Sequence, residues 1–383
     1  MLVKIIFLVS IASACFYIWV LVKIIGLRNM PMLTDAHTNT SPKDKVTVVI
    51  AARNEAESVT ECLNSILNQK KVKEIVFIDD HSTDKTLELV KKVAHNNECI
   101  RILLAPSVPV GWTGKTHALN YGALDIVTKY ILFTDADVLI SPDTIDAAVD
   151  YMNKEKLDHL SGNFYIHCRL ASESMCAPVL AASSAIALFD SANSRGSATG
   201  AFNMVRTAFY HRMGGHNQIK DAIVDDVRLA RLVKSCGGRS MFVGLSDRAS
   251  VRLFCGIRGF FALIARSTQS YLGSNIVLPL FGGLAIFVIG FLTLPGFFLA
   301  LILYLTGFIL YNDALTISVL LALSYISGLA CCMGIRRFHN GKVLYALVYP
   351  LPLCLLGLSV LWSGISKLMG FKIRWRGRKY NTA

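Results

Sequence analysis

From Ile276 to Tyr311 the chain runs 36 positions without a charge. A helix needs about 20 residues to cross the hydrocarbon of a bilayer. The run is therefore one very long helix, or two short ones broken at Thr293-Leu294-Pro295-Gly296. The same lipid-like solvent is written elsewhere in the chain. Residues 2–26 are apolar except for Lys4 and Lys23. They are too long for the apolar core of a signal peptide, and no clear small-x-small cleavage site follows, so they read as an uncleaved anchor. Leu315–Met333 is a further span. Val343–Ser363 is another, kinked or re-entrant because of Pro350 and Pro352.

The composition is that of a membrane protein. Of 383 residues, 53% are hydrophobic and 17% charged, against about 25% charged in soluble chains. This excludes a disordered or coiled-coil protein. The net charge of +13 suits a cytoplasmic face enriched in Lys and Arg. A nucleic-acid binder would rest on charge alone, without a motif. Lys367, Lys372, Arg374, Arg376, Arg378 and Lys379 end the chain with no acid among them. That tail reads as cytoplasmic, and so does the loop of Arg336, Arg337 and Lys342. One full span between them would forbid both, so the sequence leaves the topology open. The ten cysteines include no CxxC and read as small buried hydrophobes in a reducing compartment.

Residues 46–275 have globular composition. Val46–Ala52 is a β-branched buried strand, followed by Arg53-Asn54-Glu55 and a helix over Glu57–Leu67. Glu74–Ile78 is a second strand, ending in Asp79-Asp80-His81-Ser82-Thr83-Asp84. Thr86–His95 reads as a helix, Cys99–Leu104 as a strand, Asn120–Thr128 as a helix, and Tyr130–Thr134 as a strand ending in Asp135-Ala136-Asp137. This alternation implies a parallel α/β sheet, whose ligands bind at the carboxyl ends of the strands. Three such ends carry polar clusters. Asp84 and Asp143 also suit helix caps.

Asp135 and Asp137 lie on one side of an extended segment. Two such carboxylates suit Mg²⁺ or Mn²⁺ bridging protein and diphosphate. Gly111 and Gly114 permit close backbone approach, and Lys115 offers a point charge to phosphate. GxxxxGK[ST] is absent, which disfavours a nucleotide hydrolase. Later, Asp225 and Asp226 head a helix. Repulsion in such a pair raises one pKa, as a general base needs.

The strand ending Ala-Arg-Asn-Glu, the string Ile-Asp79-Asp80-His-Ser-Thr-Asp84, the Asp135-Ala-Asp137 pair and the later Asp225-Asp226 together resemble glycosyltransferase family 2 over residues 45–275. Gly-Trp-Thr-Gly-Lys115, Ile-Val-Asp-Asp226, Ala-Arg266-Ser-Thr-Gln269 and Trp375-Arg-Gly-Arg-Lys-Tyr380 resemble the bacterial hopanoid-associated and carotenoid-acid glycosyltransferases. Ceramide glucosyltransferase is similar in architecture. The resemblance implies a GT-A fold, a Rossmann-like mixed α/β sheet flanked by N-terminal and C-terminal transmembrane helices, and inverting transfer from a nucleotide sugar, a UDP-sugar first. It implies that Asn54 and Glu55 contact the nucleoside, and that Asp79 or Asp80 holds the base. Lys115 would serve the ribose–diphosphate side and Asp135 and Asp137 the metal, with Asp137 a direct ligand. Asp226 would deprotonate the acceptor, with Asp225 beside it. Gly200, Arg266 and Gln269 are assigned to the acceptor and product side. Two features depart from the family. The Gln-x-x-Arg-Trp motif of processive synthases is absent, and Asp225 stands where many members have Glu. A single transfer to a lipid hydroxyl or carboxylate is favoured.

The expected organisation is an anchor at 1–26, a linker at 27–45 holding Asp35, Pro42 and Lys43, and a catalytic domain at 46–253. An amphipathic helix at 254–275 carries Phe254, Ile257, Phe260 and Phe261 between arginines, and is read as lying in the membrane interface or packed on the catalytic domain. Three or four helices at 276–365 and a basic tail at 366–383 complete the chain. This describes a multi-pass protein of the inner or cytoplasmic membrane with its catalytic domain in the cytoplasm. The rival reading is a transport protein with a nucleotide-binding regulatory domain. It lacks a polar path, because Asp313 is the one acid between 276 and 365 and reads as loop.

Overall fold

The computed structural model describes residues 2–33, 44–194, 196–272, 275–293, 295–371, 373–375 and 378–380. The expected linker residues Asp35, Pro42 and Lys43, the break residue Leu294, and Lys372 and Arg376 of the tail lie outside them. The chain forms two compact units. One comprises Met1–Asn29, Ile166–Ile186 and Leu253–Ala383, the other Met30–Tyr165 and Ala187–Arg252.

The chain opens on α1 (Leu2–Gly26). The second unit then alternates β1 (Val46–Ala52), α2 (Val59–Leu67), β2 (Val72–Asp79), α3 (Thr86–His95), β3 (Ile100–Leu104), α4 (Gly114–Gly122), β4 (Tyr130–Phe133), β5 (Val138–Ile140), α5 (Thr144–Lys154) and β6 (His159–Gly162). After β7 (Tyr165–Ile166) and α6 (Ala171–Ser194) come β8 (Asn203–Arg206), α7 (Thr207–Arg212), α8 (Asp225–Ser235), β9 (Ser240–Val243) and β10 (Ala249–Val251). Seven strands form one sheet in the order β3-β2-β1-β4-β8-β6-β9. β1 lies parallel between β2 and β4, pairing Val49 with Val76 and Phe133. β8 runs antiparallel to β4 and β6. The sheet is mixed, and its carboxyl-end edge is set by the parallel half. All but one residue of β1 is buried, as expected for a strand covered on both faces. Val49, Val76, Ile78, Leu119, Ile131 and Phe133 make the core beneath α4. Residues 30–33 extend this unit, with Gly244 donating to Pro31 and Leu33 donating to Gly244 beyond the end of edge strand β9.

Two local expectations differ. The helix expected over Asn120–Thr128 runs instead over Gly114–Gly122. Its glycines suggested loop, but the Thr113 hydroxyl accepts from the Thr116 amide, and that cap starts the helix early. Asp143 does not cap α5 through its side chain. It sits at φ 56° and pairs with Lys70 at 3.0 Å.

In the first unit, α9 (Gly256–Leu272) and α10 (Val277–Thr293) are followed by α11 (Pro295–Leu305), α12 (Tyr311–Gly334) and α13 (Pro350–Leu368), then a hairpin of β11 (Ile373–Trp375) and β12 (Arg378–Tyr380). Ile6–Asn29, Tyr311–Gly334 and Pro350–Leu368 are long and apolar enough to cross a membrane. The 36-residue run is two helices, broken before Pro295 as its Pro-Gly signal requires. α1 and α12 run side by side, with Ile6 packing on Ile317 and Leu321 at one end. At the other end the Arg337 guanidinium donates to the Leu27 carbonyl. α10 and α13 are antiparallel. A Cβ at Gly283 would stand 2.5 Å from the Leu361 nitrogen, and one at Gly357 2.5 Å from the Phe287 nitrogen. Small residues let membrane helices approach this closely.

α9 is a helix, as expected, but its apolar residues divide. Phe260 is fully buried against Phe254 at 5.5 Å between rings, while Ile257 is 47% exposed. Phe260 therefore belongs to the packed face of the helix rather than to a headgroup layer. The Gln269 amide, also buried, donates to the Ser363 carbonyl and the Ser366 hydroxyl of α13.

α13 starts in mid-bundle. Tyr349, just before it, donates to the Ser324 carbonyl, and Tyr325 donates to Leu347. Ser324 lies ten residues inside the end of α12, about 15 Å at 1.5 Å per residue. The 3-10 turn Val343–Val348 thus descends from the end of α12, and α13 climbs back to meet α9. This geometry satisfies both basic segments at once. We expect the Arg336–Lys342 loop and the C-terminal tail on the same membrane face. A membrane-impermeant maleimide should label Lys342→Cys and a cysteine added after Ala383 from the same side of sealed vesicles, read by mass spectrometry of the two peptides. Labelling from opposite sides would mean that residues 343–368 cross completely.

Candidate active site

Five strand-end or helix-start segments supply the site. β1 ends into Asn54, held at φ 57°. Its carboxamide oxygen accepts from the Thr83 amide at 2.8 Å, and its amide donates to the Ser82 hydroxyl. Asn54 thus braces the loop after β2. Glu55 donates its amide to Thr86. Asp84 accepts from the Thr86 amide and hydroxyl and from the Ala56 amide. It ties the two loops together, while the N-cap position of α3 falls on Lys85 rather than on Asp84, and these bonds hold its carboxyl below its ordinary pKa although burial opposes them.

Asp79 and Asp80 are both buried. Asp79 Oδ2 accepts from the Ser82 amide, while Asp79 Oδ1 is buried with no hydrogen-bond partner in the protein. Asp80 is fixed through its backbone, its amide donating to Ala52 and its carbonyl accepting from Arg53. Of the two candidates for the base, Asp79 carries an unsatisfied acceptor, which is costly unless a ligand donor fills it.

The centre of the site is Lys115. Its ammonium stands 2.7 Å from Asp135 Oδ1 and 3.1 Å from Asp225 Oδ1. The early start of α4 puts it there. Thr113 donates its amide to Lys220, the Thr116 hydroxyl donates to the same carbonyl, and the Thr113 hydroxyl contacts Ala222. The first turn of α4 is thereby sewn to the segment leading into α8. Burial alone would lower the Lys115 pKa, but Asp135, Asp225 and Asp226 outweigh it and push it up. Lys115, expected to meet phosphate, is the counterion of the carboxylate cluster.

Asp135 depends on Gly200. A Cβ at Gly200 would stand 2.2 Å from Asp135 Oδ2, and the Asp135 amide donates to the Gly200 carbonyl. From below, the buried Cys62 thiol contacts the Asp135 carbonyl at 3.6 Å. Asp137 follows at half-buried depth. Among the described residues, no group of three or more His, Cys, Asp or Glu could hold a metal. Asp135 and Asp137 supply carboxylate oxygens alone. That donor set fits a hard cation whose remaining positions go to diphosphate and water.

Asp225 and Asp226 open α8. Burial raises both carboxyls. Asp226 is raised to about 7, by burial first and then by the Asp225 charge, with Lys115 opposing. Asp226 Oδ1 accepts from the Val227 amide, and its carbonyl accepts weakly from Asn203 at 3.4 Å. Asn203 Oδ1 in turn lies 2.6 Å from His159 Nε2, while His159 Nδ1 lies 2.8 Å from the Ser240 hydroxyl. Burial lowers the His159 pKa to about 4, so the ring is neutral. His216 is buried beside Phe133 and bonded to the Tyr210 hydroxyl. Burial and then the Lys115 charge lower it to about 3. No spacing in the sequence marks these two histidines.

The second unit thus brings together Lys115, Asp135, Gly200, Asp225 and Asp226. Gly200, expected on the acceptor side, is the seat of Asp135. Arg266 and Gln269 belong to the first unit, where the Gln269 amide is committed to α13.

Comparison with known proteins agrees with this architecture. Residues 47–173, a third of the chain, match the family model described as Glycosyl transferase family 2. Poly-beta-1,6-N-acetyl-D-glucosamine synthase of Staphylococcus aureus is 31% identical over 127 residues, 33% of this chain and 30% of the relative. Hyaluronan synthase of Pasteurella multocida is 32% identical over 130 residues, 34% of this chain and 13% of the relative. The match thus spans less than a third of these relatives' lengths. A solved mannosyltransferase from Pyrobaculum calidifontis, in complex with GDP-Man and Mn²⁺, superposes with a TM-score of 0.52 at 18% identity, covering 84% of this chain and 97% of that one. The fold is of the GT-A type.

Two outcomes follow from the carboxylate cluster. In infrared difference titrations, the Asp226 carboxyl should ionise near pH 7. Asp225→Asn should move that step to lower pH by removing a like charge, and Lys115→Met should move it higher by removing a cation. Separately, Gly200→Ala should lower stability by about 1–3 kcal/mol through overpacking, seen as a fall in Tm. An unshifted Tm would mean that Asp135 is not confined by Gly200.

Proposed function

We propose that this chain is a membrane-anchored, inverting glycosyltransferase that moves a single sugar from a nucleoside-diphosphate sugar to the hydroxyl or carboxylate of a lipid. The observation that carries it is the Lys115 bridge, which joins the metal-type pair at the end of β4 to the Asp225-Asp226 pair at the start of α8. This supports a reading in which a diphosphate site at the end of β4 and a basic carboxylate at the start of α8 lie close together, as in-line displacement demands.

In this reading Asp79 Oδ1 accepts from a base N–H. Asp135 and Asp137 hold Mg²⁺ or Mn²⁺, with Asp137 the direct ligand, since Asp135 is already paired with Lys115. When bound, the cation stabilises negative charge on the departing nucleoside diphosphate. Asp226 takes the proton of an acceptor hydroxyl as oxygen attacks the anomeric carbon. Its raised pKa suits that role at neutral pH. Asp225 and Lys115 set the pKa, and Asn203 steadies the Asp226 backbone. The apolar helices and the resemblance to hopanoid-associated and carotenoid-acid enzymes support a long-chain lipid acceptor. The mannosyltransferase neighbour's complex with GDP-Man and Mn²⁺ supports a nucleotide-sugar donor. The basic face of the membrane helices supports a cytoplasmic active site.

The polysaccharide-synthase relatives support a second reading, processive synthesis. Their likeness covers the donor-binding half alone, and residues 266–269 lack the Trp of the processive motif. Purified protein supplied with nucleotide sugars and a lipid panel should release nucleoside diphosphate only with Mg²⁺ or Mn²⁺. Mass spectrometry should show lipid carrying one added hexose, and a ladder of sugars would favour the second reading. Asp226→Asn should keep donor binding and lose about 10²–10⁴ in turnover. Full activity in that variant would remove the base assignment.

A further inference from the structure

The membrane helices enclose a cavity of their own. Between α1 and α12 lies a cavity of about 430 Å³, lined by Leu21, Ile24, Ile25, Arg28, Ala330, Met333 and Gly334. Its wall is apolar except at one end. There the two helices touch closely, since a Cβ on Gly334 would stand 2.8 Å from Ile24. Arg28 closes that end.

Arg28 has cationic company. Arg337 donates to the Leu27 carbonyl at 2.7 Å, which brings its guanidinium to the turn holding Arg28. Burial and then the Arg28 charge lower the Arg337 pKa. Among the described residues, no carboxylate pairs with either arginine. Arg336 is committed to the Gly341 carbonyl. Two guanidiniums near enough to repel, with no acid beside them among the described residues, are unfavourable unless an anion joins them. The end of an apolar, membrane-facing groove is where a phospholipid presents its phosphate.

We propose that the α1–α12 groove binds one anionic phospholipid, with an acyl chain along Leu21, Ile25, Ala330 and Met333 and the phosphate between Arg28 and Arg337. The charge complementarity selects the occupant. A zwitterionic lipid would bring its own ammonium to the two guanidiniums, and a second copy of this chain would bring the same two cations. Each arginine provides charge-assisted, potentially bidentate bonds to phosphate oxygens. The site is independent of the proposed sugar transfer.

The test is native mass spectrometry of the full chain, released from phosphatidylcholine micelles doped with phosphatidylglycerol. The wild type should retain one phosphatidylglycerol. Arg28→Gln/Arg337→Gln should lower that adduct by about tenfold, while Lys342→Gln, a charge loss on the neighbouring loop, should leave it unchanged. Ala330→Leu fills the groove with both arginines intact and should displace the lipid as well. Monodisperse elution and an unchanged helical circular dichroism spectrum establish that each variant is folded. An equal phosphatidylglycerol adduct in the double variant would overturn the site. So would equal retention of phosphatidylcholine, an equal loss in Lys342→Gln, or a dimer in place of the lipid adduct.

Discussion

Everything in the carboxylate site hangs on one buried ammonium. Lys115 is reached by Asp135 from a strand end and by Asp225 from a helix start. Without it, three acids would face one another in a cleft of low dielectric. Removing one partner of such a buried pair typically costs about 3–5 kcal/mol, so the cluster holds together as a unit. The scaffold is arranged around that requirement. Thr113 and Thr116 seat the first turn of α4 on the 220–222 segment. Gly200 leaves room for the Asp135 carboxylate, and the neutral rings of His159 and His216 add no further charge. The result is a polarised site. Asp226 is protonated or ionised depending on small changes near pH 7, while Lys115 stays charged throughout.

The parallel half of the sheet was legible because its strands are β-branched runs that end abruptly in acids, and period and chemistry change at the same residues. The antiparallel half was much less so. β6, β8 and β9 are four-residue strands whose pairing is decided by tertiary contacts rather than by pattern. The start of α4 was missed because two glycines and a tryptophan look like loop, while its true signal is one threonine hydroxyl capping another residue's amide. In the site, Asp79 and Asp135 were visible as charges where a strand should end, and Asp225 and Asp226 as an acid pair at the head of a helix. The partner of Lys115 was not, since the bridge joins residues 110 positions apart in sequence. Gly200 was assigned to the acceptor side, and the structure shows that its missing side chain leaves room for Asp135. Gln269 was read as part of an acceptor-side string, and the structure adds that its buried amide ties α9 to α13, as buried amides must be satisfied.

The membrane unit shows the same economy of contact on a different scale. Glycines at 283 and 357 let two helix backbones nearly touch, and the Tyr349 and Tyr325 hydroxyls find carbonyls in an environment with no water to offer. The two basic segments that could not share a face if a full span separated them are reconciled by a helix that begins halfway down its neighbour.

The short stretch at residues 30–33 reaches beyond tethering. Gly244 donates to Pro31 and accepts from Leu33, so the residues that follow the anchor cap the sheet where edge strand β9 runs out. Free strand edges are templates for intermolecular pairing. A shortened chain beginning at Val46, made to free the globular unit from lipid, would therefore lose that cover as well as its membrane helix. Its tendency to aggregate would reflect an uncovered sheet margin rather than missing hydrocarbon, and keeping Met30–Leu33 is the physical condition for handling this unit in water.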